Sequence, residues 1–162
     1  GTMKGTDNPN KIIWDQLKVT DPKFTKKINK GFGDITSIDP MWQIGKMTEK
    51  FGPCGKGWGF DVNYAYTDTY VAAEVKIVWK DQDDIWYKYG PISSMQKLSV
   101  GKTNRFDDEA SKKAMTDALT KGLSYLGMSA DVFLGLFENS KYVEKATAEY
   151  ESKGKELKKD ET

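Results

Sequence analysis

A chain of 162 residues with 25 basic and 24 acidic side chains is long enough for one domain with a hydrophobic core, and it carries almost no net charge. Histidine is absent and Cys54 is the single cysteine. This excludes a Ser-His or Cys-His catalytic pair, an internal disulfide and a zinc site built on His or Cys alone.

Residues 1–11 are polar and are expected to be a flexible N-terminus, with Gly1-Thr2 ahead of Met3 reading as an expression scar. There is no signal-peptide pattern, and no run approaches the roughly 18 apolar residues of a membrane span. With one cysteine, the expectation is a cytoplasmic protein without a membrane partner. Residues 12–30, "IIWDQLKVTDPKFTKKINK", mix two apolar clusters with Lys18, Lys23, Lys26, Lys27 and Lys30. "TDP" reads as a turn and "GFG" at 31–33 as a hinge.

The next segment predicts a helix that starts at Asp39, a good N-cap, with Pro40 at its first position. Ile44, Met47 and Phe51 give it one buried face, and Gly52-Pro53 ends it. "GPCGKG" is then a glycine-rich loop between helix and strand. A phosphate loop follows a strand, opens a helix and ends in Gly-Lys-Ser or Gly-Lys-Thr, so ATP binding is not expected here.

Two strands follow. In 57–66, Trp58, Phe60, Val62, Tyr64 and Tyr66 alternate on one face. In 69–80, Val71, Ala73, Val75, Ile77 and Trp79 do the same, opposite Ala72, Glu74, Lys76 and Val78. Thr67–Thr69 makes a hairpin turn and 81–84, "DQDD", a second turn. A third strand is expected at 85–90 and a further one near 92–99.

A long helix comes next, capped by Asp107 or Asp108, with a stripe of Ala114, Met115, Ala118, Leu119, Gly122, Leu123 and Leu126, stopped at Gly127. Ser129 is expected to cap a short helix over 130–137. Residues 141–162 alternate lysine and glutamate and read as a charged tail, either a solvent-faced helix or disordered. Function is expected to survive loss of roughly its last dozen residues. The sum is one α+β domain over 12–140: an antiparallel meander of three or four strands packed on a long helix, with an N-terminal helix and short C-terminal helices.

No spacing points to catalysis. Asp81, Asp83 and Asp84 would be able to hold a cation, but such a cluster is more often a hydrophilic hairpin tip. No catalytic residue, resident metal or cofactor is expected. Near-neutral charge does not exclude nucleic acid, because affinity follows where the cations sit. Lys56, Lys97, Lys102, Arg105 and Lys121 are candidate phosphate contacts, and Lys113 falls on the same flank of the helix as Lys121. Trp58, Tyr64, Trp86 and Tyr87 are candidates for stacking on bases. The competing reading of the same residues is an aromatic core and a solvated charged face.

The stretch 110–127, "ASKKAMTDALTKGLSYLG", resembles the signature helix of single-strand annealing proteins of the Rad fifty-two type, phage recombinases of that superfamily included. Lys112 and Lys113 match its lysine-rich opening, Thr116 and Asp117 its Thr-Asp pair, and Leu119, Leu123 and Gly127 its packing frame. "IGKMTEKFGPCGKGWGFDV" at 44–62 is similar to the family's helix ending in Phe-Gly and its Gly-Trp strand. "AEVKIVWKD" and "YKYG" are similar to its second and third strands. "LKVTDPKFTKKINK" looks like the phage members.

The resemblance spans roughly 38–135 and implies a β-β-β-α core that assembles into rings or filaments. It implies that single-stranded DNA lies in an outer positive groove and that complementary strands anneal without ATP, in phage homologous recombination and DNA repair. Double-stranded DNA would be held at a secondary site, and a single-strand-binding protein or an exonuclease is a partner of the kind implied. The family's adjacent basic groove pair falls on Thr120 and Lys121, and a later basic position on Ser124, so Lys121 alone keeps the charge. Tyr125 is expected to be a packing residue. The alternative is an oligomeric structural or protein-binding relative without annealing activity.

Overall fold

A computed structural model describes residues 8–160 as an α+β protein with antiparallel sheets. The expected loose segment 1–11 lies outside the described residues up to residue 7. From Asn8 the chain is ordered, and its side chain accepts from the Asn10 amide at 3.0 Å to cap a 3-10 turn at Pro9–Lys11. The chain divides into two compact units, 44–125 and the residues on either side of it.

In the first unit, α1 (Ile12–Leu17) is followed by β1 (Thr25–Asn29) and β2 (Asp34–Ile38), an antiparallel hairpin with Thr25 opposite Ile38 and Asn29 opposite Asp34. The "GFG" expected to be a hinge is the hairpin's turn. Gly31 and Gly33 take φ of 87° and 135°, and Lys30 N–H donates to the Gly33 carbonyl at 3.1 Å. The adjacent Lys26 and Lys27 put a charge on each face of β1, so no apolar face marks the period-two pattern of this strand pair.

α2 (Pro40–Phe51) begins where the cap residue predicts, with Asp39 Oδ1 accepting from the Met41 amide at 2.9 Å. Its second buried position beside Met47 is polar: Gln43 donates to Ser129 Oγ at 3.3 Å. Ser129 thus spends its hydroxyl there. It occupies the N-cap position of α4 (Ala130–Phe133) without capping it, a correction to the expected role. α4 itself is four residues, and a 3-10 turn at Leu136–Glu138 takes up the rest of the expected helix.

The charged tail is a helix, α5 (Ser140–Asp160), and it is not solvent-faced all round. Tyr142, Ala146 and Tyr150 recur every four residues, so one stripe docks. Ala146 is buried, Tyr150 donates to the Val19 carbonyl at 2.7 Å, and Tyr142 donates to Asp131 Oδ2 at 2.8 Å. Asp131 is a buried carboxylate with further donors in the Thr20 amide at 2.8 Å and the Thr20 hydroxyl at 2.7 Å. Burial first, and then that carboxylate, push the Tyr142 phenol well above its ordinary value.

In the second unit, β3 (Trp58–Tyr66), β4 (Tyr70–Lys80) and β5 (Trp86–Lys97) form a three-stranded antiparallel meander with β4 central. The expected further strand at 92–99 is the second half of β5. Gly90, at φ 111°, and Pro91 together oppose Lys76, where the register shifts between Val75 and Ile77. An edge strand tolerates proline because no neighbour needs its amide, so the strand bulges and continues.

Val71, Ala73, Val75 and Ile77 are all fully buried on one face of β4. Val71 and Ala73 share a core cluster with Ala110 and Ala114 of α3 (Ala110–Ser124). Further along, the Tyr89 hydroxyl donates to the Gly122 carbonyl at 2.7 Å, and burial raises that phenol's pKa. Neither Asp107 nor Asp108 is the N-cap of α3. Glu109 holds that position without a side-chain cap bond, and Asp107 Oδ1 accepts from the Glu109 amide, two residues on, at 3.0 Å.

The strand β3 starts against the end of α2 only because residue 57 has no side chain. A Cβ there would fall 1.8 Å from the Phe51 carbonyl oxygen. Gly57→Ala is expected to destabilise the protein by about 3 kcal/mol, since the backbone itself must move. Asp131→Ala is expected to cost a similar amount, about 3 kcal/mol, by stranding buried donors, whereas Tyr142→Phe costs about 1 kcal/mol. Urea unfolding of the three variants checks this order.

Candidate nucleic-acid interface

The register of the meander sorts its side chains onto two faces. The buried face carries Phe60, Val62 and Tyr64 of β3, the apolar run of β4, and Tyr87, Tyr89, Ile92 and Ser94 of β5. The open face carries Asp61 and Asn63, then Glu74, Lys76, Val78 and Lys80, then Trp86, Lys88, Ser93, Met95 and Lys97. It is a partly exposed platform with two acids, Asp61 and Glu74, and four lysines, Lys76, Lys80, Lys88 and Lys97.

Trp58 is corrected as a stacking candidate. It is fully buried (0% exposed), its ring stacks near Phe60, and its indole N–H donates to Thr48 Oγ1 at 3.3 Å. Strict alternation with Phe60 and Tyr64 made it look equivalent to them. Burial falls from one end of β3 to the other, which alternation does not register.

Tyr64, Trp86 and Tyr87 are exposed, but they do not form one surface. Trp86 is on the open face with Lys80 Nζ 5.7 Å from its ring centroid. Tyr87 is on the other face, stacked on Trp79 with ring centroids 4.8 Å apart. The negative charge of Asp81 leads in raising the Tyr87 phenol's pKa.

The basic candidates are all exposed. Lys56 lies in the loop between α2 and β3. Lys97 ends β5 on the open face, and Lys102 and Arg105 follow in the small hairpin of β6 (Ser99–Val100) and β7 (Arg105–Phe106), turned through Asn104 at φ 50°. Among the described residues, Lys56, Lys97, Lys102 and Lys121 form no ion pair. Lys113 does: its Nζ lies 2.7 Å from Asp107 Oδ2.

Lys121 is on the solvent side of α3, whose other side meets the buried face of the sheet. Lys97 is on the open face, so the two do not converge. Thr120 and Ser124 flank Lys121 with hydroxyls turned back on the helix, to the Thr116 carbonyl at 3.0 Å and the Lys121 carbonyl at 2.5 Å. Tyr125, expected to pack, is 61% exposed. Asp117 accepts from the Ser94 hydroxyl and ties α3 to β5.

Sequence reasoning passed over Lys76 and Lys88 on the open face. Their alternation with apolar neighbours was the available signal. In the first unit, Lys23, Lys26, Lys27 and Lys30 make the β1–β2 hairpin basic, and Lys27 Nζ donates to Thr36 Oγ1 at 2.7 Å.

The acidic turn after β4 is used structurally. Asp81 Oδ1 accepts from the amides of Asp83 and Ile85, both at 2.9 Å, and Asp84 pairs with Lys80 at 3.4 Å. Among the described residues, no group of three or more His, Cys, Asp or Glu side chains could hold a metal ion, and no helix is long and apolar enough to cross a membrane. A cleft of about 400 Å³ in the first unit is lined by Trp14, Leu134 and Tyr142 among others. Its buried carboxylate, Asp131, already has its donors.

The Lys113 ammonium, followed by the Glu109 amide, holds the Asp107 carboxyl below the ordinary aspartate range, and the pair raises Lys113 in return. A depressed carboxylate contributes stability above its unfolded pKa, and that contribution is lost as pH falls through the folded value. The raised lysine contributes below its unfolded pKa and loses that contribution as pH rises through its folded value. In an NMR titration, the Asp107 carboxyl is expected to titrate below free aspartate, and Lys113→Ala to move the midpoint up. An unchanged midpoint would mean the pair does not form in solution.

Compared with protein-family models and with curated proteins, the sequence matches none.

Proposed function

We propose that this chain binds single-stranded DNA without sequence preference and anneals complementary strands without ATP, as a homo-oligomer and as a relative of the Rad fifty-two type annealing proteins. The observation that carries the reading is the order of elements in 44–125. The end of a helix, a three-stranded antiparallel meander and a long helix against its buried face follow one another as the β-β-β-α core of that family requires. Lys56, Lys97, Lys102 and Lys121, exposed and without an ion pair among the described residues, support a phosphate-binding role, because no acidic side chain has to be displaced for a ligand to reach them. No side chain makes or breaks a bond in this reading. The free energy of annealing comes from base pairing, and the protein holds strands by their phosphates with bases accessible.

One observation favours a second reading, a structural relative without annealing activity. At Thr120 and Ser124 the resemblance calls for basic residues, and here hydroxyls bond to the helix backbone instead.

Fluorescence anisotropy of a labelled strand of about 30 nucleotides, at about 50 and about 200 mM salt without metal, separates the two. Tight binding that weakens with salt is expected. Lys121→Ala with Arg105→Ala is expected to reduce the salt slope by roughly 1.4, two phosphate contacts at about 0.7 each. An unchanged affinity and slope in that variant would remove both residues from the interface. No binding by the unaltered protein at the lower salt would favour the second reading.

A further inference from the structure

The meander has two outer edges, and they differ in kind. β3 pairs with β4 over all nine of its residues without a register shift. On its outer side, the loop covers only its start, where Gly55 N–H donates to the Trp58 carbonyl. From Phe60 to Tyr66, every second residue turns an N–H and a C=O away from β4. Among the described residues nothing takes up those groups.

Edge strands are normally blunted by lysine, proline or a bulge. Over 60–66, "FDVNYAY", β3 has none of these, and aromatic and β-branched residues fill its alternate positions. β5 has all three: Lys88, Lys97, Pro91 and the bulge opposite Lys76. Beyond the bulge, Ile92–Lys97 is again a regular strand, and among the described residues nothing pairs with its outer side.

The geometry points to the outer edge of β3 as the site where a second copy of this chain adds its β5 edge, extending the sheet from subunit to subunit. The inference rests on the homo-oligomer in the proposed function and names the surface that builds it. Charge decides which edges meet. On the open face, β3 carries Asp61 and no base, while β5 carries Lys88 and Lys97 and no acid. β3 against β5 sets an acid-bearing edge against a lysine-bearing one and opposes no like charges. β3 against β3 brings Asp61 towards its own copy, and β5 against β5 gathers lysines.

Strand direction agrees. In a meander β3 and β5 run the same way, so a copy that continues the sheet in the same sense joins them as parallel neighbours. That contact is heterologous. Its repetition gives a ring if the rotation closes and a filament if it does not, never a closed two-fold dimer.

The test uses the full chain and light scattering after size exclusion. The unaltered protein is expected to run as an oligomer well above dimer mass. Asp61→Lys is expected to collapse it towards single chains with its circular dichroism unchanged, and Lys88→Glu with Lys97→Glu to do the same. Combining the three substitutions is expected to restore the large species. Hydrogen exchange on the unaltered oligomer is the independent readout: amides in 60–66 that face away from β4 are expected to be protected, and to lose protection in Asp61→Lys.

A large oligomer that Asp61→Lys leaves intact, or one whose outward amides in 60–66 exchange freely, overturns the edge contact and leaves oligomeric annealing standing. An unaltered protein that is a single chain, or an isologous dimer, overturns the oligomeric reading and this inference together.

Discussion

β4 is the one strand of the meander hydrogen-bonded on both sides, and its alternate residues decide what the rest of the second unit can be. Val71, Ala73, Val75 and Ile77 are fully buried. Burying such side chains contributes about 25 cal/mol per Å² of apolar surface, the largest favourable term available to a unit of this size. One of the four positions is alanine and two are valine, so the helix approaches closely, and Ala110, Ala114, Ala118 and Gly122 of α3 answer with small residues of their own. At Gly122 the fit is tight: a Cβ would come within 2.5 Å of Ile77 Cδ1. The helix that carries the resemblance is therefore mostly a packing device, and its length leaves only the solvent side, with Lys121, for a ligand.

The first unit depends on a different device. Its buried apolar side chains are few among the described residues, Leu17, Met128, Ala130, Phe137 and Ala146, and the buried carboxylate of Asp131 gathers Thr20 and Tyr142 from segments far apart in the chain. A buried charge that keeps several donors holds its neighbours in one arrangement, because losing any of them leaves a desolvated polar group behind. Gln43 and Ser129 work in the same way, as do Tyr150 and the Val19 carbonyl. Polar residues do here what Val and Ile do around β4.

The proposed interface rests on these constraints. With one face of the meander committed to α3, the other is free to carry Lys76, Lys80, Lys88 and Lys97 beside Trp86, and the strand edges are free for a neighbour. Phosphate binding needs exposed cations without acidic partners. Assembly needs unpaired backbone. Among the described residues the second unit offers such a cation in Lys97 and such backbone along the outer side of β3 without disturbing its core, because side chains point across the sheet and hydrogen bonds run within it.

The sequence by itself determined the elements whose signals are local: the Asp39-Pro40 start of α2, the period-two strands β3 and β4, the turns at 67–69 and 81–84, and the small-residue stripe of α3. Each depends on a few adjacent residues and a fixed period. It also left Lys56, Lys97, Lys102, Arg105 and Lys121 on the surface, since a lysine or arginine is rarely buried unpaired. Only the tertiary structure decided that Trp58 is core while Tyr64 is exposed on the same strand. The same is true of β5 running through Pro91, of Asp107 serving Lys113 rather than α3, and of the charged tail docking through Tyr142, Ala146 and Tyr150. It likewise decided that Lys97 and Lys121 face different ways. The reason is common to all: burial, partner and facing direction are set by residues distant in sequence, which local periodicity does not encode.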